Sequence, residues 1–277
     1  MKLIKNADLK QFNSYRLGGV AKLLIVIEDI DELFLLDKEL LKEVVVLGGG
    51  SNVLISDYVG NRIFMKMEFK GCDLKDGIEI EAGTNLTEIS TELASQGYRE
   101  FLNYIGIPGT VGGAIVMNSG TNKSISDIVS KVVVMTREKE VKILPVQSLE
   151  YGYRDSILQK NDWIVLSAFF NVEKREPVTQ GEIKEKFLER LVNHPLAFPS
   201  AGCWFKGAFG CSDVIRETGL VGEWIDGAVS SPLMPAFILN VDSTPQNIYS
   251  LAKRIKDKAE SIGKPIEFEI KLIGDFN

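Results

Sequence analysis

Residues 44–54 read Val-Val-Val-Leu-Gly-Gly-Gly-Ser-Asn-Val-Leu. A β-branched apolar run predicts a buried strand, and three glycines end it abruptly. Glycine tolerates positive φ and carries no Cβ, so several backbone N–H groups can turn toward one anion. Ser51 and Asn52 add side-chain hydrogen bonds at the same spot. Gly48, Gly49, Gly50, Ser51 and Asn52 are therefore candidates for holding a phosphate or pyrophosphate. A plain tight turn between two strands is the competing reading. The segment is no P-loop, because no Gly-Lys-Ser/Thr follows, and it lacks the Gly-x-Gly-x-x-Gly spacing of a Rossmann turn. A second glycine-rich segment, Gly106-Ile107-Pro108-Gly109-Thr110-Val111-Gly112-Gly113-Ala114, favours the ligand reading. Two such segments in one chain point to one long ligand held at two places.

Working outward from the first segment, residues 14–19 form a turn into a strand at 21–27. Asp29 or Asp31 can cap a following helix, in which Leu33, Leu36, Leu40 and Leu41 recur at helical spacing. With the glycine strand this completes a strand–helix–strand unit. Strands are expected at 62–67 and 77–82. Thr84 or Asn85 then opens a helix that stops at Gly97. Alternating strands at 129–136, 141–145 and 163–172 suggest an α+β sheet rather than a second parallel one. The polar, proline-broken stretch 174–179 reads as a domain boundary. Beyond it come a helix at 179–192, a long loop at 195–210, a helix at 247–262 and one strand at 266–273. The fold class is mixed α+β. The boundary sets a ligand-binding part, which carries both glycine segments, apart from a smaller α+β domain.

A net charge of −6 leaves no basic excess for general nucleic-acid binding, so an anionic ligand must be met by a few placed cations. Cys72, Cys203 and Cys211 are odd in number and lack Cys-x-x-Cys spacing, and His194 is the single histidine. No metal site and no disulfide framework are expected. The start has no apolar signal region, and no 18-residue apolar run occurs. The expectation is a soluble cytoplasmic protein without membrane insertion or an obligate protein partner.

Three further places carry chemistry-bearing side chains. Arg154 stands between aromatic residues; it either pairs with Asp155 on the surface or aims a guanidinium at a carboxylate. Cys203, with Lys206 close behind, is either a small hydrophobe or a functional thiol among glycines. Strict alternation puts Glu267, Glu269 and Lys271 on one face of the last strand, and nothing in the pattern separates the two glutamates. His194 precedes a proline and reads as a loop residue.

Leu47-Gly-Gly-Gly-Ser-Asn-Val-Leu, Gly106-Ile-Pro-Gly-Thr-Val-Gly-Gly-Ala, Tyr153-Arg-Asp-Ser, Pro199-Ser-Ala-Gly-Cys-Trp-Phe-Lys and Glu267-Phe-Glu-Ile-Lys-Leu-Ile-Gly occur in this order. The order resembles the UDP-N-acetylenolpyruvoylglucosamine reductase family, flavoenzymes of bacterial peptidoglycan precursor synthesis. The resemblance runs from about residue 6 to 274 and is to the compact form, which lacks an inserted tyrosine-bearing loop. It implies a two-part FAD-binding domain of the vanillyl-alcohol-oxidase type, at 1–67 and 68–176, and a smaller α+β substrate domain at 177–277. FAD is expected to be bound non-covalently, with NADPH as hydride donor and a UDP-sugar as substrate. By the same resemblance, Gly48 to Asn52 meet the FAD pyrophosphate, and Pro108, Gly109, Thr110, Gly112 and Gly113 line the flavin. Hydride passes from NADPH by way of the flavin to the enolpyruvyl C3, and a proton goes to C2.

Arg154 and Glu269 match the family's positions at the substrate carboxylate. Cys203 falls where serine usually donates the proton, and Lys206 and Arg190 are candidates for the substrate diphosphate. The chain departs from the family pattern at Cys203, at Gly207-Ala208 in place of Asn-Pro, at Asn193 where lysine is common, and near Met234 where histidine is common. A 2-hydroxy-acid oxidase on the same FAD domain and an inactive flavin-binding relative are the alternatives.

Overall fold

The computed structural model describes residues 1–207 and 210–277. Ala208, one of the departures noted above, lies outside the described residues. The chain forms two compact units, each assembled from separated segments. One comprises residues 1–5, 23–49 and 62–188; the other comprises 6–22, 50–61 and 189–277.

The first 67 residues give β1 (Lys2–Asp8), β2 (Val20–Ile27), α1 (Glu32–Leu35), α2 (Lys38–Glu43), β3 (Val45–Leu47), β4 (Val53–Ile55) and β5 (Ile63–Met67). One sheet has the order β1-β2-β5-β3. Both β2 and β3 pair in parallel with β5, so the strand–helix–strand unit exists with a third strand inserted between its two. The helix expected from the leucine spacing is broken in two. Leu36 and Asp37 are extended, with ψ 147° at each, and the Asp37 carboxylate accepts from Glu39 N at 2.8 Å. That carboxylate offers the backbone a local partner, which stops one helix and starts the next.

The following hundred residues hold β6 (Cys72–Asp73), β7 (Ile78–Glu81), α3 (Leu86–Ser95), α4 (Val111–Met117), β8 (Val129–Met135), β9 (Val141–Pro145), α5 (Ile157–Asn161) and β10 (Ile164–Phe170). These strands make an antiparallel sheet in the order β6-β7-β10-β8-β9. Asn85 caps α3 by accepting from Glu88 N at 3.0 Å. Ile80, Leu93, Val132, Val134 and Ala168 are fully buried in the core of this unit. The second glycine segment is not loop throughout. Thr110 Oγ1 accepts from Gly113 N at 3.3 Å and starts α4, which lies against β7 and β10. Packing and a cap outweigh the low helix propensity of its two glycines.

The rest of the chain gives α6 (Gln180–Asn193), β11 (Phe205–Lys206), α7 (Cys211–Thr218), β12 (Trp224–Ile225), β13 (Ala228–Ser230), β14 (Ile238–Asn240), α8 (Pro245–Ser261), β15 (Glu267–Phe268) and β16 (Lys271–Ile273). An antiparallel meander β12-β13-β14 packs on α8, whose Ile248, Leu251 and Ile255 are fully buried with Trp204 and Tyr15. The single strand expected at 266–273 is two. β15 pairs antiparallel with β11, whereas β16 pairs in parallel with β4. Glu267, Glu269 and Lys271 therefore do not share one strand face, and Glu269 stands in the break. Among the described residues no helix is long and apolar enough to cross a membrane.

Candidate active site

The two glycine segments meet backbone to backbone within the first unit. A Cβ built on Gly49 would stand 2.5 Å from Gly109 Cα, and one on Gly48 would stand 2.7 Å from Thr110 Oγ1. Only glycine permits that approach. A Cβ on Gly112 would stand 2.8 Å from Ala82 Cβ, whereas one on Gly113 would meet nothing nearer than Thr110 Oγ1 at 3.6 Å. One glycine of the pair packs on the sheet side and its neighbour keeps an open face. Beside this surface lies a cation the sequence reading had not named. Lys66 on β5 donates to Gly48 O at 3.1 Å and is 3.8 Å from Glu68. Burial pulls the ammonium below its ordinary pKa, with Glu68 opposing.

The second unit takes over at Gly50, whose φ is +65° and whose missing Cβ would lie 2.2 Å from Phe12 O. Gly50 O accepts from Ser14 N at 3.0 Å. Asn52, placed by sequence at the anion, has its side chain elsewhere. Its Nδ2 donates to Glu269 O at 3.2 Å, and its carbonyl accepts from Lys271 N at 3.1 Å. The glycine segment thus runs into a clamp on Glu269.

Arg154, in the first unit, has a left-handed backbone with φ 53°. Its Nη1 donates to Asn118 O at 3.0 Å and its Nη2 to Gly120 O at 2.5 Å. The guanidinium carbon is 5.1 Å from the centre of the Tyr153 ring. Asp155 pairs with Lys160 at 3.5 Å.

Cys203, Lys206, Arg190 and Glu269 all belong to the second unit. Cys203 forms an isolated antiparallel bridge with Phe237. Its neighbour Trp204 is fully buried; Trp204 Nε1 donates to Tyr15 Oη, which donates in turn to Ile238 O at 2.7 Å. Trp204 O accepts from Glu269 N at 2.8 Å. One core-anchored residue therefore fixes the chain on both sides of the pair, Cys203 by sequence and Glu269 by hydrogen bond. Lys206 sits opposite Glu267 in the β11–β15 register. Burial lowers the Arg190 guanidinium below its ordinary pKa, and the Cys203 sulfur works in the opposite direction. His194 stacks edge-on against Phe237 at 5.7 Å. Cys211 was read as no more than an odd thiol. Burial pushes its pKa up and the Glu269 carboxylate adds to that, so it stands near Glu269. Among the described residues no three His, Cys, Asp or Glu side chains gather as a metal site.

Residues 27–149 match the family model described as FAD binding domain. UDP-N-acetylenolpyruvoylglucosamine reductase of Alkaliphilus oremlandii is 32% identical, over 99% of this chain and 94% of the relative. The reductase of the same name from Caldanaerobacter subterraneus subsp. tengcongensis is 35% identical, again over 99% and 94%. The crystal structure of UDP-N-acetylenolpyruvylglucosamine reductase from Thermus caldophilus superposes with a TM-score of 0.81 at 28% identity, covering 98% of each chain.

Proposed function

The chain belongs to the UDP-N-acetylenolpyruvoylglucosamine reductase family, and from that premise we propose how its residues divide the work. It is an FAD- and NADPH-dependent oxidoreductase. It reduces the enolpyruvyl ether of UDP-N-acetylglucosamine to the lactyl ether of UDP-N-acetylmuramate. Its fold is the FAD-binding domain of the vanillyl-alcohol-oxidase type joined to a mixed α+β substrate domain. We place the parts of that domain at 1–67 and 68–176 and the substrate domain at 177–277. The first two ranges each contribute their own sheet, which supports the division. The cytoplasm, where the nucleotide sugar and NADPH are met, is the proposed location.

Gly48 to Asn52 hold the FAD pyrophosphate, Asn52 by its backbone and not by its side chain, and Pro108, Gly109, Thr110, Gly112 and Gly113 line the flavin ring. The observation that carries this reading is the contact between Gly49 and Gly109: two segments without side chains form one continuous backbone surface. The open side of Gly113 suits a flat ring, and the partly buried Lys66 suits a nearby diphosphate. Gly49→Ala would drive a methyl group into the Gly109 backbone. It is expected to weaken FAD binding at least about 100-fold, roughly 2.7 kcal/mol, while the core stays folded. Titration of apoprotein with FAD, read by flavin fluorescence beside a thermal melt, checks it. The single histidine, His194, lies outside both glycine segments. Neither segment holds a cysteine or tyrosine either, so FAD is held without a covalent bond, and acid or heat should release all of it into the supernatant. Flavin that stays on the denatured chain would overturn the assignment.

When bound, FAD supplies the hydride chemistry, accepting from NADPH and donating to the enolpyruvyl C3. The protein's side chains manage the charge and the proton. Arg154, its guanidinium anchored on Asn118 O and Gly120 O, brings a preorganised charge to the substrate carboxylate, where negative charge develops. Glu269 acts on the substrate, its backbone fixed on one side by Trp204 and on the other by Asn52. Cys203 gives its proton to C2, and the Arg190 charge stabilises the thiolate left behind. Lys206 and Arg190 serve the substrate diphosphate.

A further inference from the structure

Asn118 closes α4 in the left-handed conformation, φ 47° and ψ 52°. Its side chain is buried and bonded at both ends: Nδ2 donates to Gly152 O at 2.9 Å, and Oδ1 accepts from Ser126 N at 3.2 Å. Its main-chain carbonyl accepts from the Arg154 guanidinium at 3.0 Å. One residue therefore touches both ends of the Arg154 problem, the turn that carries it and the group it presents. The turn needs such help. Arg154 sits at φ 53°, a region that L-residues other than asparagine and aspartate visit reluctantly. Gly152 and Asp155 pair with each other across it, at 3.1 and 3.4 Å, so the turn moves as one piece. Two more bonds tie that piece to the last turn of α4, from Ser156 Oγ and Gln159 Nε2 to Val116 O at 2.7 and 3.2 Å.

We propose that Asn118 is the positioning residue for Arg154, setting both the strained backbone of the turn and the direction of the guanidinium. The proposal rests on the reading of Arg154 as the group facing the substrate carboxylate. A mere helix cap predicts something different: lower stability and an even loss in both half-reactions. Positioning predicts a loss confined to the step in which Arg154 acts.

The test is a double-mutant cycle read as single-turnover rates under anaerobic conditions. Asn118→Gly keeps the carbonyl and the left-handed backbone and removes both side-chain bonds. It should retain FAD and NADPH reduction and slow reoxidation by the enolpyruvyl substrate about tenfold. Combined with Arg154→Ala, it should add nothing to the Arg154→Ala rate. Asn118→Asp, which loses only the donor to Gly152, should move the same step in the same direction. It decides the matter if the glycine variant loses its flavin. Additive effects, a wild-type reoxidation rate, or equal slowing of both half-reactions would each overturn the proposal. If Arg154→Ala alone leaves reoxidation untouched, the reading of Arg154 fails first and takes this proposal with it.

Discussion

Arg154→Ala is expected to leave reduction of the flavin by NADPH largely intact and to slow reoxidation by the enolpyruvyl substrate about 10²–10³-fold, and Glu269→Ala to do the same. The reason is local. Two main-chain carbonyls hold the Arg154 guanidinium in place before charge builds on the substrate, and the Glu269 backbone is fixed through its own N–H and C=O. NADPH has no such carboxylate to be stabilised, which confines the loss to one half-reaction. Stopped-flow absorbance of the flavin resolves the two steps. Collapse of NADPH reduction with normal reoxidation would reverse the assigned roles.

A comparable loss is expected for Cys203→Ala, and almost none for Cys203→Ser. The alanine variant should bind FAD, take hydride from NADPH, and then stall with reduced flavin when substrate is added. The serine variant puts an O–H donor on the same backbone, and that backbone is fixed by the buried Trp204 and the bridge to Phe237. Single-turnover reoxidation of the reduced alanine variant decides the point. A wild-type rate would mean the thiol only fills space and the proton comes from elsewhere.

The features that carry local physics were readable in the chain. The β-branched run into three glycines, the Asn85 cap and the alternating strands at 129–170 stand where their patterns put them. What escaped depends on distant partners. β1 has an almost fully exposed pattern and no hydrophobic period to read. The last strand alternates without interruption, yet its halves pair with β11 and with β4, and no local period encodes two partners. That break also gives a physical difference between two glutamates that looked alike. Glu267 stays in a strand opposite Lys206, whereas Glu269 hangs between strands, gripped by Trp204 and Asn52. Trp204 read as part of an aromatic loop because its burial comes from Tyr15, far away in sequence. Lys66 hid inside an apolar strand, and Asn118 in a run of small residues. An asparagine just past a capped helical segment was the available signal for the second.

The seven residues of α4 run from the threonine that caps the second glycine segment to the asparagine that holds Arg154. Such a helix is a ruler as well as a scaffold. Inserting one residue would rotate everything beyond it by about 100° and advance it about 1.5 Å, carrying Asn118 away from Gly152 whatever amino acid was added. Sequence can drift inside α4 so long as small residues stay small. Its length cannot, and evolution along this segment is expected to proceed by substitution while insertions and deletions collect in the loops on either side.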